Sequence, residues 1–221
     1  MKKIKEKKRM LFIAAHPDDE LLGCAGTIAN FAQEGHIVET LIVAEGSTSR
    51  VEKSKKQHLN LTKKLKEVAV KAGRMLSVKK TSFLGLPDNC LDSLAQLTII
   101  QKIENFIKKF KPDEVFTHFG GDLNIDHRIV FQSVITACRP LPESKIKKIC
   151  VFETLSSTEW GFGNNGDHSN FNPNMFIDIS KNLELKIKAL KLYKMEMRKF
   201  PHPRSLEAVE YLAKLRGSQS G

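Results

Sequence analysis

The sequence predicts an α/β fold in which a mainly parallel sheet is flanked by helices. Short apolar runs alternate along the chain with longer segments of helical periodicity, as in strands joined by crossover helices. The length of 221 residues suits one domain with a sizeable core. Ionisable residues follow two of the apolar runs, and ligands of such folds bind at the carboxyl ends of the strands. We therefore expect one domain of residues 10–221, a basic arm of residues 1–9, and an active site at that edge of the sheet.

The elements follow from this alternation. Strands are predicted at residues 10–14, 37–43, 80–83, 114–117 and 148–152, and helices at 19–34, 51–72, 93–110 and 126–138. A polar loop rich in Asn and Gly follows at 156–174. Beyond it we expect a strand at 174–179, a long helix at 180–199 and a last helix at 205–215, with two prolines between these helices. The whole arrangement is Rossmann-like.

Composition places the chain among globular proteins. Hydrophobic residues make up 41% and charged residues 28%, which is not the composition of a disordered chain. No stretch approaches the ~20 apolar residues of a membrane span, and the apolar run after the basic start is too short for a secretory signal. The four cysteines form no CxxC pair, and Cys24, Cys138 and Cys150 lie in apolar contexts, so we expect these three to be buried free thiols and the protein to be cytoplasmic.

The net charge of +11 invites a nucleic-acid function. The basic residues are spread over predicted helix faces, however, and aromatic residues do not interleave with them. We therefore expect no nucleic-acid function, and the positive field would instead attract an acidic small molecule. A homo-oligomer is compatible with the sequence.

The most informative motif directly follows the first apolar run. His16, Asp18 and Asp19 bring an imidazole and two carboxylates to the end of a buried strand, where a bound cation would offset their desolvation. Pro17 disfavours helix at His16 and suits the first turn of the next helix. His16 and Asp19 can then converge on a divalent metal, which leaves Asp18 free. A capped helix start is the alternative, but it explains the carboxylates and not the histidine.

A third metal ligand is expected from the second half of the chain. His127 lies in the first turn of a predicted helix, and two histidines with one carboxylate are a common zinc set in hydrolases. His118, at the end of the preceding strand, is the rival ligand. We assign Asp126 either to positioning His127 or to contacting substrate. Asp88 is interpreted as a turn residue.

These residues carry a family resemblance. The segment Ala-His-Pro-Asp-Asp-Glu at 15–20, followed by Asn-Ile-Asp-His-Arg at 124–128, resembles the zinc-dependent deacetylases of the PIG-L/LmbE type. The resemblance extends to residues 44–46 with Arg50, to 83–88 and to Pro-His-Pro-Arg-Ser at 201–205. Such enzymes remove acetyl groups from N-acetylglucosamine-type sugars and related compounds. The resemblance implies Arg50 as a substrate contact, Asp18 as general base, and one zinc ion on His16, Asp19 and His127.

One position departs from the family pattern. Many members carry His-Pro-Asp-His at the second motif, and Asn124 stands here in place of the first histidine. That histidine is thought to stabilise the oxyanion or to act as an acid. Asn124 can donate a hydrogen bond but cannot transfer a proton. We hypothesise that His202, held between two prolines, returns to the pocket and supplies the acid.

The sequence thus predicts a zinc-dependent N-deacetylase that acts on an amino sugar, whether free, nucleotide-linked or part of a glycoconjugate. Its partner would be a small N-acetylated sugar. One alternative is a metal-dependent amidase for a non-sugar or thiol-conjugate amide. A module that only binds anions or nucleotides is the other, although no Gly-rich phosphate loop supports it. Iron or cobalt is also compatible with the ligand set.

Overall fold

The fold is built on one five-stranded parallel sheet, as predicted. The computed structural model describes residues 6–46, 55–161 and 170–221. Five of the six predicted strands are found, and their order across the sheet is β3-β2-β1-β4-β5. The central neighbours β1 and β4 pair in parallel through Met10 with Glu114 and Phe12 with Phe116. The strands are β1 Arg9–Ala14, β2 Ile37–Ala44, β3 Lys80–Leu86, β4 Glu114–His118 and β5 Lys148–Phe152.

Six α-helices are described. The last predicted helix is found, and Ser205 caps its start, because its Oγ accepts a hydrogen bond of 3.0 Å from the backbone N–H of Ala208. No helix in the described ranges is both long enough and apolar enough to cross a bilayer. The helices are α1 Asp19–Gln33, α2 Lys55–Met75, α3 Gln96–Phe110, α4 Ile125–Ala137, α5 Leu183–Leu190 and α6 Leu206–Ser220, with short 3-10 turns at Leu91–Ser93, Thr158–Trp160 and Ser180–Asn182.

The sheet separates two hydrophobic cores. Alternate side chains of β1 point to opposite faces, so that Phe12 packs with α1, α2 and α5 while Ile13 packs with α3 and α4. Both residues have no exposed surface. Burial on both faces explains why the strands read as continuous apolar runs in the sequence.

The strand predicted at 174–179 is wrong. Residues 171–179 have no regular secondary structure. The carbonyl oxygen of Asp178 accepts a hydrogen bond of 2.6 Å from Nδ2 of Asn30 on α1. The apolar residues Met175, Phe176 and Ile177 resemble a short strand, but this backbone bonds to a helix side chain instead of a neighbouring strand.

The long helix predicted at 180–199 is also wrong, because α5 ends at Leu190. The backbone N–H groups of Tyr193 and Glu196 each donate to the carbonyl three residues earlier. Tyr193 is only 2% exposed, and the carboxylate of Glu196 lies 3.5 Å from a guanidinium nitrogen of Arg204. These tertiary contacts override the local helical preference and turn the chain back towards the candidate site.

Candidate functional site

The candidate site lies at the carboxyl ends of the neighbouring strands β1 and β4. β1 leads through Ala15 to His16, and β4 ends at His118. The backbone N–H of Ala15 donates a hydrogen bond of 2.9 Å to Nε2 of His118, which links the two strand ends. α4 then places His127 in its first turn. Adjacent strands therefore deliver both sequence motifs to one point.

Three of the predicted site residues come together here. Oδ2 of Asp19 lies 3.1 Å from Nδ1 of His16 and 3.1 Å from Nε2 of His127. The three ligand atoms all lie within 4.8 Å of one another, and the three residues are buried. Oδ1 of Asp19 and Nε2 of His127 are buried without a hydrogen bond of good geometry. Buried nitrogen and oxygen donors that converge in this way fit a divalent cation such as zinc.

A carboxylate lies behind each of the two histidines. Nδ1 of His127 is 3.2 Å from Oδ2 of Asp122. Nε2 of His16 is 3.1 Å from Oδ2 of Asp126 and 3.2 Å from Oδ1 of Asp88. These contacts fix each ring so that its other nitrogen faces Asp19.

Asp126 and Asp88 both lie behind His16, which differs from the roles predicted for them from the sequence. Asp126 has no exposed surface and lies behind His16, so it neither positions the His127 ring nor reaches the cavity to contact substrate. Its carboxylate accepts hydrogen bonds from the backbone N–H groups of Asn89 (2.7 Å) and Leu91 (3.1 Å). Asp88 is not merely a turn residue, because it is 2% exposed and contacts His16.

The charges of this cluster stabilise one another. Burial opposes the charged form of His127, but Asp19 and Asp122 outweigh it and raise the pKa of the imidazole. Burial likewise opposes charge on His16, whose pKa Asp126 and Asp19 hold well above its usual value. The pKa of Asp19 lies well below its usual range, because both imidazoles outweigh its burial. A divalent cation bound between these residues would replace the imidazole protons.

His118 packs against the cluster. Its Nε2 accepts the hydrogen bond from Ala15, and its ring stacks on that of His127 with 3.8 Å between centroids. Burial lowers the pKa of His118 well below its usual value, and His127 adds to the effect. Because the lone pair of Nε2 is already used, this geometry favours His127 as the third ligand.

Asp18 is buried at the start of α1 but does not cap the helix. Its φ of +117° is positive, and its side chain makes no capping hydrogen bond. We expected this carboxylate to be free, whereas its Oδ2 accepts a hydrogen bond of 2.7 Å from Arg204. Burial raises the pKa of Asp18 to about 7; Arg204 opposes this rise, and Asp19 adds to it.

Asn124 caps α4. Its Oδ1 accepts hydrogen bonds from the backbone N–H groups of Asp126 (2.8 Å) and His127 (3.4 Å). Its Nδ2 donates to Oδ1 of Asn89 at 3.2 Å. The capping role thus fixes which end of the amide is the donor, and one N–H of Nδ2 is left for a ligand.

A cavity of about 310 Å³ opens above these residues. His202 lies on its wall, and Nδ1 of this ring accepts a hydrogen bond of 3.0 Å from the backbone N–H of Arg204. The neutral ring therefore carries its proton on Nε2. Arg50 lies outside the described residues. The lining residues are His16, Pro17, Asp18, Gly46, Asn89, Asn124, Ser156, Trp160, Glu196, Arg198, His202 and Arg204.

Comparison with known proteins identifies the family. The sequence matches the PIG-L family, described as GlcNAc-PI de-N-acetylase, over residues 11–138. That match spans more than half of the chain. The chain belongs to the PIG-L family.

Individual relatives extend the PIG-L likeness to most of the chain. An uncharacterized deacetylase of Escherichia coli, YaiS, is 28% identical over 86% of this chain and 92% of its own length. Diacetylchitobiose deacetylase of Thermococcus kodakarensis is 25% identical over 86% of this chain and 70% of its own length. The structure of N,N'-diacetylchitobiose deacetylase from Pyrococcus horikoshii covers 99% of this chain with 21% identity and a TM-score of 0.78, aligning over 81% of that chain. The last comparison shows that the fold is shared.

The PIG-L match contains the metal-ligand candidates but ends before one wall of the cavity. That wall comes from Ser156, Trp160, Glu196, His202 and Arg204. Sequence reasoning placed only His202 among the site residues. The signal for Arg204 was its place in the Pro-His-Pro-Arg-Ser segment, and nothing local marked Glu196, which falls in a stretch of helical periodicity.

Proposed function

We propose that this protein hydrolyses the N-acetyl group of an amino sugar, using a divalent metal ion held by His16, Asp19 and His127. The observation that carries the proposal is the convergence of one ligand atom from each of these residues below a cavity lined by the buried carboxylate of Asp18. Membership of the PIG-L family supports it, as do the relatives named as deacetylases.

The donor set of two imidazoles and one carboxylate suits zinc, because it matches catalytic zinc sites that leave a position for water. Zinc, when bound, lowers the pKa of water and polarises the acyl oxygen. Asp122 and Asp126 keep the two rings turned towards the metal position.

Asp18 acts as the general base. It accepts a proton from the attacking water, whose oxygen bonds to the acyl carbon. The C–N bond of the amide then breaks, acetate leaves, and the departing nitrogen takes up a proton to give the free amine. A carboxyl group with a pKa near 7 can both accept and return a proton at neutral pH.

Asn124 and His202 act on the same reaction from the cavity wall. The N–H of Asn124 Nδ2 donates to the acyl oxygen as negative charge develops there. His202 supplies the proton that Asn124 cannot transfer. For this step the ring must be an imidazolium, in which Nδ1 is protonated and no longer accepts the hydrogen bond from the backbone N–H of Arg204. Arg50 contacts the substrate in this proposal.

The substrate class is a small N-acetylated amino sugar, in keeping with the diacetylchitobiose deacetylases among the relatives. A cavity of about 310 Å³ lies at the lower end of the usual range for small-molecule pockets, about 300–1,000 Å³. It has room for one N-acetylated sugar ring.

The test combines metal content with acetate release. Zinc-loaded wild type and Asp18→Asn are incubated with N-acetylated monosaccharides, chitooligosaccharides and nucleotide sugars. We expect about one zinc per chain in both proteins and acetate from the wild type, with kcat at least about 10²-fold lower in Asp18→Asn. Asp92→Asn, an exposed Asp outside the cavity, is the matched control and should retain full turnover.

Other outcomes contradict separate parts of the proposal. Normal turnover by Asp18→Asn would remove Asp18 as the base. Bound metal without acetate release from any sugar would direct the search to other amides. A protein that binds no zinc would contradict the metal site itself.

A further inference from the structure

We propose that Arg204 is a positioning residue that holds the carboxylate of Asp18 in the orientation needed for proton transfer. A guanidinium nitrogen of Arg204, Nη1, donates a hydrogen bond of 2.7 Å to Oδ2 of Asp18, although the two residues are 186 positions apart. This inference rests on the proposed function, in which Asp18 is the base.

Arg204 is itself held on several sides. Its Nε donates a hydrogen bond of 2.7 Å to Oγ of Ser156, and Nη1 also lies 3.5 Å from Oε2 of Glu196. Its backbone N–H donates to His202 at 3.0 Å, and its carbonyl oxygen accepts from the backbone N–H of Arg198 at 3.1 Å. Contacts other than the one with Asp18 therefore fix the orientation of the planar guanidinium.

Asp18 needs such a partner. Its positive φ is uncommon for a residue with a side chain, and the carboxylate does not cap α1. The side chain is only 2% exposed and lies among other carboxylates, those of Asp19 and Glu196. Without Arg204, nothing described would hold Oδ2 against this repulsion. With Oδ2 fixed, Oδ1 is the oxygen left for the proton.

The contacts favour positioning over direct substrate binding. An arginine that binds substrate presents unused donors to the cavity, whereas Nε and Nη1 of Arg204 already donate to Ser156 and Asp18. The remaining nitrogen, Nη2, lies 3.8 Å from Oδ1 of Asp19. Two of the three nitrogens thus donate hydrogen bonds to side chains of the protein, and the third lies at ion-pair distance from the ligand candidate Asp19.

A double-mutant cycle with Arg204→Met, Asp18→Asn and the double variant tests this role. We expect Arg204→Met to lower kcat on the order of 10²-fold with KM changed less than about threefold, because a misplaced base affects the chemical step. In the Asp18→Asn background the same change should alter the residual kcat less than about threefold, since Arg204 acts through Asp18. Arg204→Lys should recover part of kcat.

Arg139→Met is the control, because Arg139 is exposed and pairs with Glu104. It should keep kcat and KM. If Arg204→Met does not fold, Ser156→Ala takes its place, since it removes the Nε contact and keeps the charge; it should lower kcat several-fold at unchanged KM. Additive effects in the cycle, or a rise in KM at unchanged kcat, would overturn the positioning role.

A readout without turnover separates this inference from the proposed function. Crystal structures of zinc-loaded wild type and Arg204→Met, or Ser156→Ala in its place, should show the Asp18 carboxylate displaced in the variant. An unmoved carboxylate would overturn the role of Arg204. Displacement in a protein that releases no acetate would support positioning and contradict the proposed function alone.

Discussion

Asp18 and Asp19 are adjacent carboxylates whose surroundings give them opposite properties. Burial raises the pKa of Asp18 to about 7, against the effect of Arg204. The pKa of Asp19 is held well below its usual range, because His127 and His16 outweigh its burial. A pair of carboxylates whose pKa values are pushed apart is a common arrangement in acid–base sites. The difference suits Asp19 to hold a cation and Asp18 to exchange a proton.

His202 allows a prediction at the level of one side chain. We expect His202→Ala to lower kcat by about 10²-fold, because a general acid typically contributes at least this much. Steady-state acetate release measures the effect. His202→Gln should not restore the rate if the ring transfers a proton, because a side-chain amide forms hydrogen bonds but does not transfer a proton.

The control for this prediction is His36→Ala. His36 directly precedes β2, at the amino ends of the strands and so away from the candidate site. It accepts a hydrogen bond from the backbone N–H of Lys8. Its loss should leave kcat unchanged. Unaltered turnover in His202→Ala would remove His202 from the mechanism.

At the level of elements, α1 lies unusually close to its neighbours at two glycines. A Cβ added at Gly23 would lie 2.4 Å from Cδ2 of Phe152, and one at Gly26 would lie 2.7 Å from Cβ of Ile179. These positions let the helix that begins at Asp19 pack against Phe152 of β5 and against Ile179. Side chains at either position would displace α1 and the candidate ligand it carries.

We therefore expect Gly26→Ala to lower the free energy of unfolding by about 1–3 kcal/mol, as overpacking usually does. Gly217→Ala in α6 is the matched control, because an added Cβ there meets nothing within 4 Å. It should be neutral or stabilising by up to about 1 kcal/mol, the helix propensity difference. Urea unfolding measures the free energy of unfolding of both variants. Equal values for the two would contradict the close packing of α1.

The 3-10 turn Thr158–Trp160 carries a natural reporter of the cavity. Trp160 is the only tryptophan of the chain and lies on the cavity wall, with its ring 6.1 Å from that of His202. We expect its fluorescence to change on titration with an N-acetylated sugar in the Asp18→Asn variant, in which slow turnover leaves the sugar intact during the titration. The dissociation constant from the fluorescence titration should agree with the one measured by calorimetry. Calorimetric binding without any change in fluorescence would place the sugar elsewhere.

The elements that sequence reasoning could find are those fixed by local pattern. All five strands were predictable because strands buried on both faces are continuous apolar runs. The segments at 174–179 and 180–199 have local patterns typical of a strand and a helix. Their observed structure instead goes with contacts to distant residues, Asn30 for the first segment and Arg204 for the second. Similarly, His16 and Asp19 are neighbours in sequence, whereas the contact between Arg204 and Asp18 is not visible in any local segment.

At the level of the whole molecule, the metal site should couple to stability. Zinc that binds only the folded protein stabilises it, by about 2.7 kcal/mol when free zinc is 100 times Kd. For a domain of this size that corresponds to a rise in Tm of about 5–10 °C. Thermal unfolding with zinc and with a chelator measures the shift. His127→Ala should show none, and a wild-type Tm that does not respond to zinc would contradict the site.

The boundary of the family match has a consequence for comparing relatives. Proteins that share residues 11–138 of this chain share the side of the pocket that carries His16, Asp19 and His127. The facing wall, which includes Trp160 and Arg204, is encoded after that boundary. A likeness confined to the first part therefore transfers the proposed metal ligands and Asp18, but neither the roles proposed for His202 and Arg204 nor the identity of the substrate. The substrate is best inferred from relatives that also match across residues 156–204.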